Sequence, residues 1–161
     1  MIMSEKVFIW DFHGTLEIGT VFILTEIANA LLQENGSTKR YTPIEFSNIP
    51  SFSWNTFFRH HLPNHTEETI QLIAQDAYNE KKFAHLMDQY SQPNKGALSV
   101  LQSVKANGGV NIVVSHSRHE KLGYYLSHVG LSHMIDAHYG VDDGRVTSRK
   151  DVLQRKTTTI R

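Results

Sequence analysis

Two short apolar runs, each stopping on a polar residue, constrain this chain more than any other feature. Val7-Phe8-Ile9-Trp10 stops at Asp11, with Gly14 close behind, and Val110-Asn-Ile-Val-Val114 stops at Ser115. Apolar runs of this kind predict strands buried on both faces, because a half-exposed strand would alternate with polar residues. The pattern between them is helical. Strands of this type pair in parallel and need crossovers, so the chain reads as α/β: a Rossmann-like parallel sheet with flanking helices, interrupted by a helical insertion. Ligands of such sheets gather beyond the carboxyl ends of the strands, where Asp11 and Ser115 both fall.

The insertion has its own punctuation. Leu24, Ile27, Ala28 and Leu31 recur at helical spacing within Thr20 to Glu34, and Asn35-Gly36 supplies a stop. Pro43, Pro50 and Pro63, with Phe52, Trp54, Phe57 and Phe58 among them, predict short helices and loops. Thr66 can cap a helix whose stripe, Ile70, Ile73, Ala77, Ala84 and Met87, predicts one long element. After a polar break at Ser91 to Lys95, a helix carries Ala97, Leu98, Leu101 and Val104 and closes at Asn107-Gly108-Gly109. The strand ending at Ser115 is followed by a helix bearing Leu122, Tyr125, Leu126 and Val129, a short element at Ala137 to Val141 and a final polar helix. The expected division is an α/β core of residues 1–17 and 91–161 and a helical cap of residues 18–90.

Charge and composition remove several function classes. Sixteen basic residues balance 16 acidic ones over 161 positions, which gives no general electrostatic reason to bind nucleic acid or an anionic membrane. The absence of cysteine excludes disulfides, thiolate zinc sites and cysteine nucleophiles. Apolar windows such as Val21 to Leu24 are far short of the ~20 residues a bilayer-spanning helix needs. The start, Met1-Ile-Met-Ser-Glu-Lys6, does not resemble a secretory signal, so a cytoplasmic location is expected. Of the ten histidines, the neighbours His60, His61 and His65, and the pair His116 and His119, lack the spacing of a metal set and read as surface or loop residues.

The segment Phe8-Ile-Trp-Asp-Phe-His-Gly-Thr-Leu16 resembles the first motif of the haloacid dehalogenase-like superfamily, an apolar strand followed by Asp, any residue, usually Asp, then Gly, Thr and Leu. Val110 to Ser115 is similar to its second motif, and Ser148-Arg-Lys150-Asp-Val-Leu153 to its third, a lysine that opens a helix. With a helical insertion after the first motif, the chain looks phosphoglycolate-phosphatase-like. The resemblance implies that Asp11 is the nucleophile, that Ser115 and Lys150 hold the transferring phosphoryl group, and that Thr15 lies near it; His116, an exception among the histidines because it follows Ser115, is expected to line the pocket. It implies magnesium bound by the Asp11 carboxylate and the backbone carbonyl at position 13, and a small phosphorylated metabolite as partner. A cap of this kind supplies the specificity surface.

Two departures from the pattern matter. His13 stands where the family's phosphatases carry a second aspartate as general acid and base; a histidine, which titrates near neutrality, can protonate a leaving oxygen and later activate water. The family's dehalogenases also lack an acid there, which keeps carbon–halogen hydrolysis as a minor reading. The fourth motif, an acidic pair after a further strand, is not met within the eleven residues after Lys150, and Asp142 and Asp143 precede that lysine and read as loop residues. Two expectations follow: the first strand presents an exposed apolar edge, and a catalytically impaired binding or regulatory domain is the alternative function.

Overall fold

The structure, a computed structural model, describes residues 6–141. Lys150, Asp142, Asp143 and the expected final helix lie outside the described residues. The described residues separate into two compact units, one running to Ile18 and resuming at Gln92, the other Gly19–Ser91.

The first unit is α/β. Its strands β1 (Val7–Trp10), β4 (Val110–Arg118) and β5 (Ala137–Val141) form a parallel sheet in the order β1-β4-β5, with Trp10 opposite Val113 and Val113 opposite His138. A short antiparallel pair, β2 (Glu17–Ile18) with β3 (Gln92–Pro93), closes the loop after β1. Helices α6 (Ala97–Ala106) and α7 (His119–His128) pack on β4, and α7 also packs on β5. Phe12, Leu16, Leu101, Val113, Leu122, Leu126 and Leu131 form the buried centre of this unit. Asn111 sits within it without penalty, because its side chain donates to the carbonyls of Leu101 and Met134 and accepts from Trp10 Nε1 at 3.0–3.1 Å.

Here the sequence expectation needs correction. β1 is not buried on both faces: Val7, Phe8 and Ile9 are 51, 39 and 48 % exposed. The described helices pack on the other two strands, and among the described residues β1 pairs with β4 alone, so its apolar run lies on an uncovered edge. β4 also runs past Ser115 to Arg118, although its regular ladder to β5 ends at Val114 and resumes, shifted, at Arg118. An irregularity of this type frees the intervening residues from the pleat.

The second unit is helical: α1 (Thr20–Glu34), α2 (Pro43–Ser47), α3 (Trp54–His61), α4 (Glu67–Asp76) and α5 (Glu80–Tyr90). Ile27, Leu31, Leu32, Trp54, Phe57, Phe58, Ile70 and Leu86 lie in its core. The single long helix expected after Thr66 is two helices. Thr66 caps α4 through the amide of Thr69, but Asn79 caps a new helix by accepting from the amide of Lys82, and a side chain that accepts there ends the old ladder. The interruption changes the stripe, so Phe83 and Leu86 are buried and Ala84 is exposed. Among the described residues, no helix is long and apolar enough to cross a membrane.

Candidate active site

The loop after β1 is shaped by alternating inward and outward residues. Phe12 and Leu16 are buried, while Asp11 and Thr15 are exposed. The Phe12 carbonyl accepts from the amides of Leu16 and Glu17 at 2.9 and 3.0 Å, and the amide of Gly14 donates to the Glu17 carbonyl at 2.8 Å. So tight a turn needs a left-handed residue, and Gly14 supplies it at φ 77°. Asn94 fastens the loop from outside by donating to the Thr15 carbonyl at 2.9 Å.

Asp11 follows Trp10, and Ser115 is two residues beyond its partner Val113, so the tips of adjacent strands bring these residues to the same edge of the sheet. Neighbouring strands run about 4.8 Å apart. Ser115 is buried and Asp11 exposed. His116, next along β4, is exposed. His13 joins the two strand ends: its Nε2 lies 2.9 Å from Ser117 Oγ, and Ser117 Oγ lies 3.3 Å from Ser115 Oγ. The Ser117 amide also donates to Ser115 Oγ at 3.2 Å. On the other side of the ring, His13 Nδ1 is 3.1 Å from Glu17 Oε2. The imidazole lies edge-on to Phe12 and to Tyr125, with ring centres 4.9 and 5.8 Å apart.

Two residues of this cluster escaped the sequence reading. Glu17 is only 1 % exposed, and a buried carboxylate is costly unless it is paired. Its spacing of four from His13 was the available signal. Ser117 follows Ser115 by two, a repeat without meaning until the irregular end of β4 is seen. Gly140 on β5 permits that arrangement, since a Cβ there would come within 2.4 Å of the Ser117 carbonyl oxygen. Of the expected site residues, Asp11, His13, Thr15, Ser115 and His116 lie at these strand ends, and Lys150 lies outside the described residues.

Elsewhere the chemistry is structural. Tyr41 Oη and His61 Nε2 are 2.7 Å apart in the helical unit, where burial holds the imidazole below its ordinary pKa, helped by the charges of His60 and Lys39. His119 stacks on His138 at 4.9 Å, and burial lowers the His138 pKa. A cavity of about 380 Å³ in the helical unit is lined by Tyr41, Phe52, Phe57, His60 and His61, and none of its lining residues belongs to the strand tips. Trp54 and Phe58 of the same aromatic group are core. Among the described residues, no three histidine, aspartate or glutamate side chains gather to hold a metal ion.

The sequence model of the haloacid dehalogenase-like hydrolases matches residues 8–154. No curated protein matches the chain at a significant level. Several solved structures share the fold. A predicted phosphatase from Clostridium acetobutylicum is 22 % identical with a TM-score of 0.70, covering 97 % of this chain and 70 % of its own. A haloacid dehalogenase-like family hydrolase from Streptococcus pneumoniae is 16 % identical with a TM-score of 0.68, covering 98 and 70 %. A family hydrolase from Deinococcus radiodurans with bound phosphate and sodium is 17 % identical with a TM-score of 0.63, covering 97 and 67 %.

Proposed function

This chain belongs to the haloacid dehalogenase-like hydrolases, and we propose that it is a magnesium-dependent phosphatase that hydrolyses small phosphomonoesters through a phosphorylated Asp11. The observation that carries the reading is the pairing of an exposed carboxylate, Asp11, with a buried hydroxyl, Ser115, at the ends of two hydrogen-bonded parallel strands. The phosphatase designation of the Clostridium acetobutylicum protein and the phosphate in the Deinococcus radiodurans one support it. In this reading the α/β unit is the catalytic core and the helical unit its cap.

An Asp11 carboxylate oxygen attacks phosphorus, forming an acyl phosphate as the ester oxygen departs with a proton from His13. Water, losing a proton to His13, then attacks the same phosphorus and frees the carboxylate. The hydroxyls of Ser115 and Thr15 donate to phosphoryl oxygens, His116 lines the pocket, and the Lys150 ammonium offsets the repulsion between Asp11 and the substrate. The donor set suits magnesium, a hard ion that takes one or two carboxylates and otherwise oxygen ligands from water and phosphate; here the Asp11 carboxylate and the position-13 carbonyl would hold it. It would supply positive charge between nucleophile and phosphate.

The test is hydrolysis of an aryl phosphate with magnesium, comparing the chain with Asp11→Asn. Loss of the nucleophile is expected to lower kcat by about 10³-fold or more. Equal, background rates for both proteins would move the assignment to a second reading, a non-catalytic binding or regulatory domain. That reading is favoured by His13, which stands where the family's phosphatases carry an aspartate.

A further inference from the structure

We infer that Glu17 is a positioning residue that fixes the His13 ring in its Nδ1–H form, leaving the Nε2 lone pair on the side of the strand-tip hydroxyls. The inference rests on the reading of His13 as the acid and base. Four groups form one chain of contacts, Glu17 Oε2 to His13 Nδ1 at 3.1 Å, His13 Nε2 to Ser117 Oγ at 2.9 Å, and Ser117 Oγ to Ser115 Oγ at 3.3 Å.

The direction of the chain follows from its end. With its carboxylate ionised, Glu17 only accepts, so Nδ1 donates to it. A neutral imidazole with Nδ1 protonated has its lone pair on Nε2, so the Ser117 hydroxyl donates to it. The Ser117 oxygen is then the acceptor for the Ser115 hydroxyl. Every hydrogen points the same way, from the sheet tip toward the buried carboxylate.

Two consequences concern catalysis. With Nδ1 bonded to Glu17, the buried acceptor fixes the orientation of the ring and so the side on which Nε2 lies. The hydroxyl contact between Ser115 and Ser117, at 3.3 Å, is long against the usual 2.7–2.8 Å for such a pair, so it is the weakest member of the chain. An arriving phosphoryl oxygen takes the Ser115 hydrogen at little cost, and the Glu17 contact holds the ring when Nε2 exchanges Ser117 for the reacting oxygen. Packing does the rest: Phe12 and Tyr125 hold the ring edge-on, so rotation alone does not restore the geometry once Glu17 is lost.

The experiment reads the tautomer directly by nitrogen NMR of the imidazole at mildly alkaline pH, together with kcat and KM on an aryl phosphate. The wild-type chain is expected to show His13 in the Nδ1–H form, and Ser117→Ala to retain it. Glu17→Leu is expected to convert the ring to Nε2–H and to lower kcat by about 10- to 100-fold with little change in KM, a fraction of the roughly 10²–10⁴-fold that general acid–base catalysis is worth. Glu17→Gln, which keeps an acceptor oxygen, should hold the Nδ1–H form and recover most of kcat. A wild-type ring in the Nε2–H form overturns the inference without any variant, as does an unaltered tautomer in Glu17→Leu, or a Gln variant no better than Leu. If Asp11→Asn matches wild type in rate, the phosphatase reading fails, and the nitrogen spectra still decide the role of Glu17.

Discussion

Both units of this protein bury polar side chains, but the two put them to different use. In the helical unit, Thr25 donates to the Val21 carbonyl at 2.6 Å, and Asn29 clasps the backbone of Tyr41 with contacts of 2.8 and 2.9 Å. These groups satisfy main chain and pin a loop to a helix, the ordinary work of a buried amide or hydroxyl. In the α/β unit, Asn111 plays that structural part, whereas Glu17 and Ser115 face other side chains at the strand ends. The apolar surfaces differ in kind. The helical unit encloses the cluster of Phe57 and Phe58, at 4 and 0 % exposure, and exposes scattered residues such as Phe22 and Tyr78, while the α/β unit leaves the continuous run Val7, Phe8 and Ile9 on the surface. A buried polar residue that meets other side chains at a strand end is thus a better pointer to chemistry here than any exposed apolar one.

The sharpest test of this contrast is in the aromatic core. Phe58→Ala is expected to cost about 3–5 kcal/mol of stability in urea unfolding, because the ring is wholly enclosed and packs on Trp54 and Phe57. A loss under about 1 kcal/mol would mean that the helical unit is loosely packed, and the contrast with the strand tips would lapse.

An intermediate effect is expected from pH. Folding lowers the His61 pKa, chiefly by burial, so the fold favours the neutral ring. The stabilisation is whole above the unfolded ring's value of about 6.5 and is lost as pH falls through the lower folded value. Melting temperature should therefore decline on acidification in this window, and His61→Phe should flatten part of the decline. An unchanged slope in the variant would exclude His61 as a contributor.

The smallest stability effect is expected on β1. Ile9→Lys should alter unfolding free energy by no more than about 0.5 kcal/mol, since the side chain is half exposed, while reducing self-association in light scattering at high concentration. A cost above about 2 kcal/mol would show that this edge is covered, and would remove the difference between the two units.

Much of the fold was legible because local patterns carried it. The span of α1 and its stop at Asn35-Gly36 follow from apolar spacing and a left-handed glycine at φ 82°, which need nothing from the rest of the chain. The break between α4 and α5 was missed because Ile70, Ile73 and Ala77 continue a plausible stripe, and only the capping geometry of Asn79 reveals the second start. Within the site, Asp11 and Ser115 could be singled out because each terminates an apolar run. Glu17 could not, since an acidic residue beside a loop is ordinarily solvated, and its burial depends on the β2–β3 pairing and on a ring that folds back over it.

The order of apolar and polar residues by itself determined that this chain makes parallel strands with helices between them, and that a carboxylate and a hydroxyl end up at the same side of the sheet. Periodicity and strand ends are properties of neighbours in sequence, and they survive without knowledge of the partner surface. Tertiary structure alone decided that Glu17, His13, Ser117 and Ser115 share one line of hydrogen bonds. Burial and hydrogen-bond direction arise between segments far apart in the chain. His13 and Ser117 are 104 residues apart, and only the pairing of β1 with β4 brings them within reach.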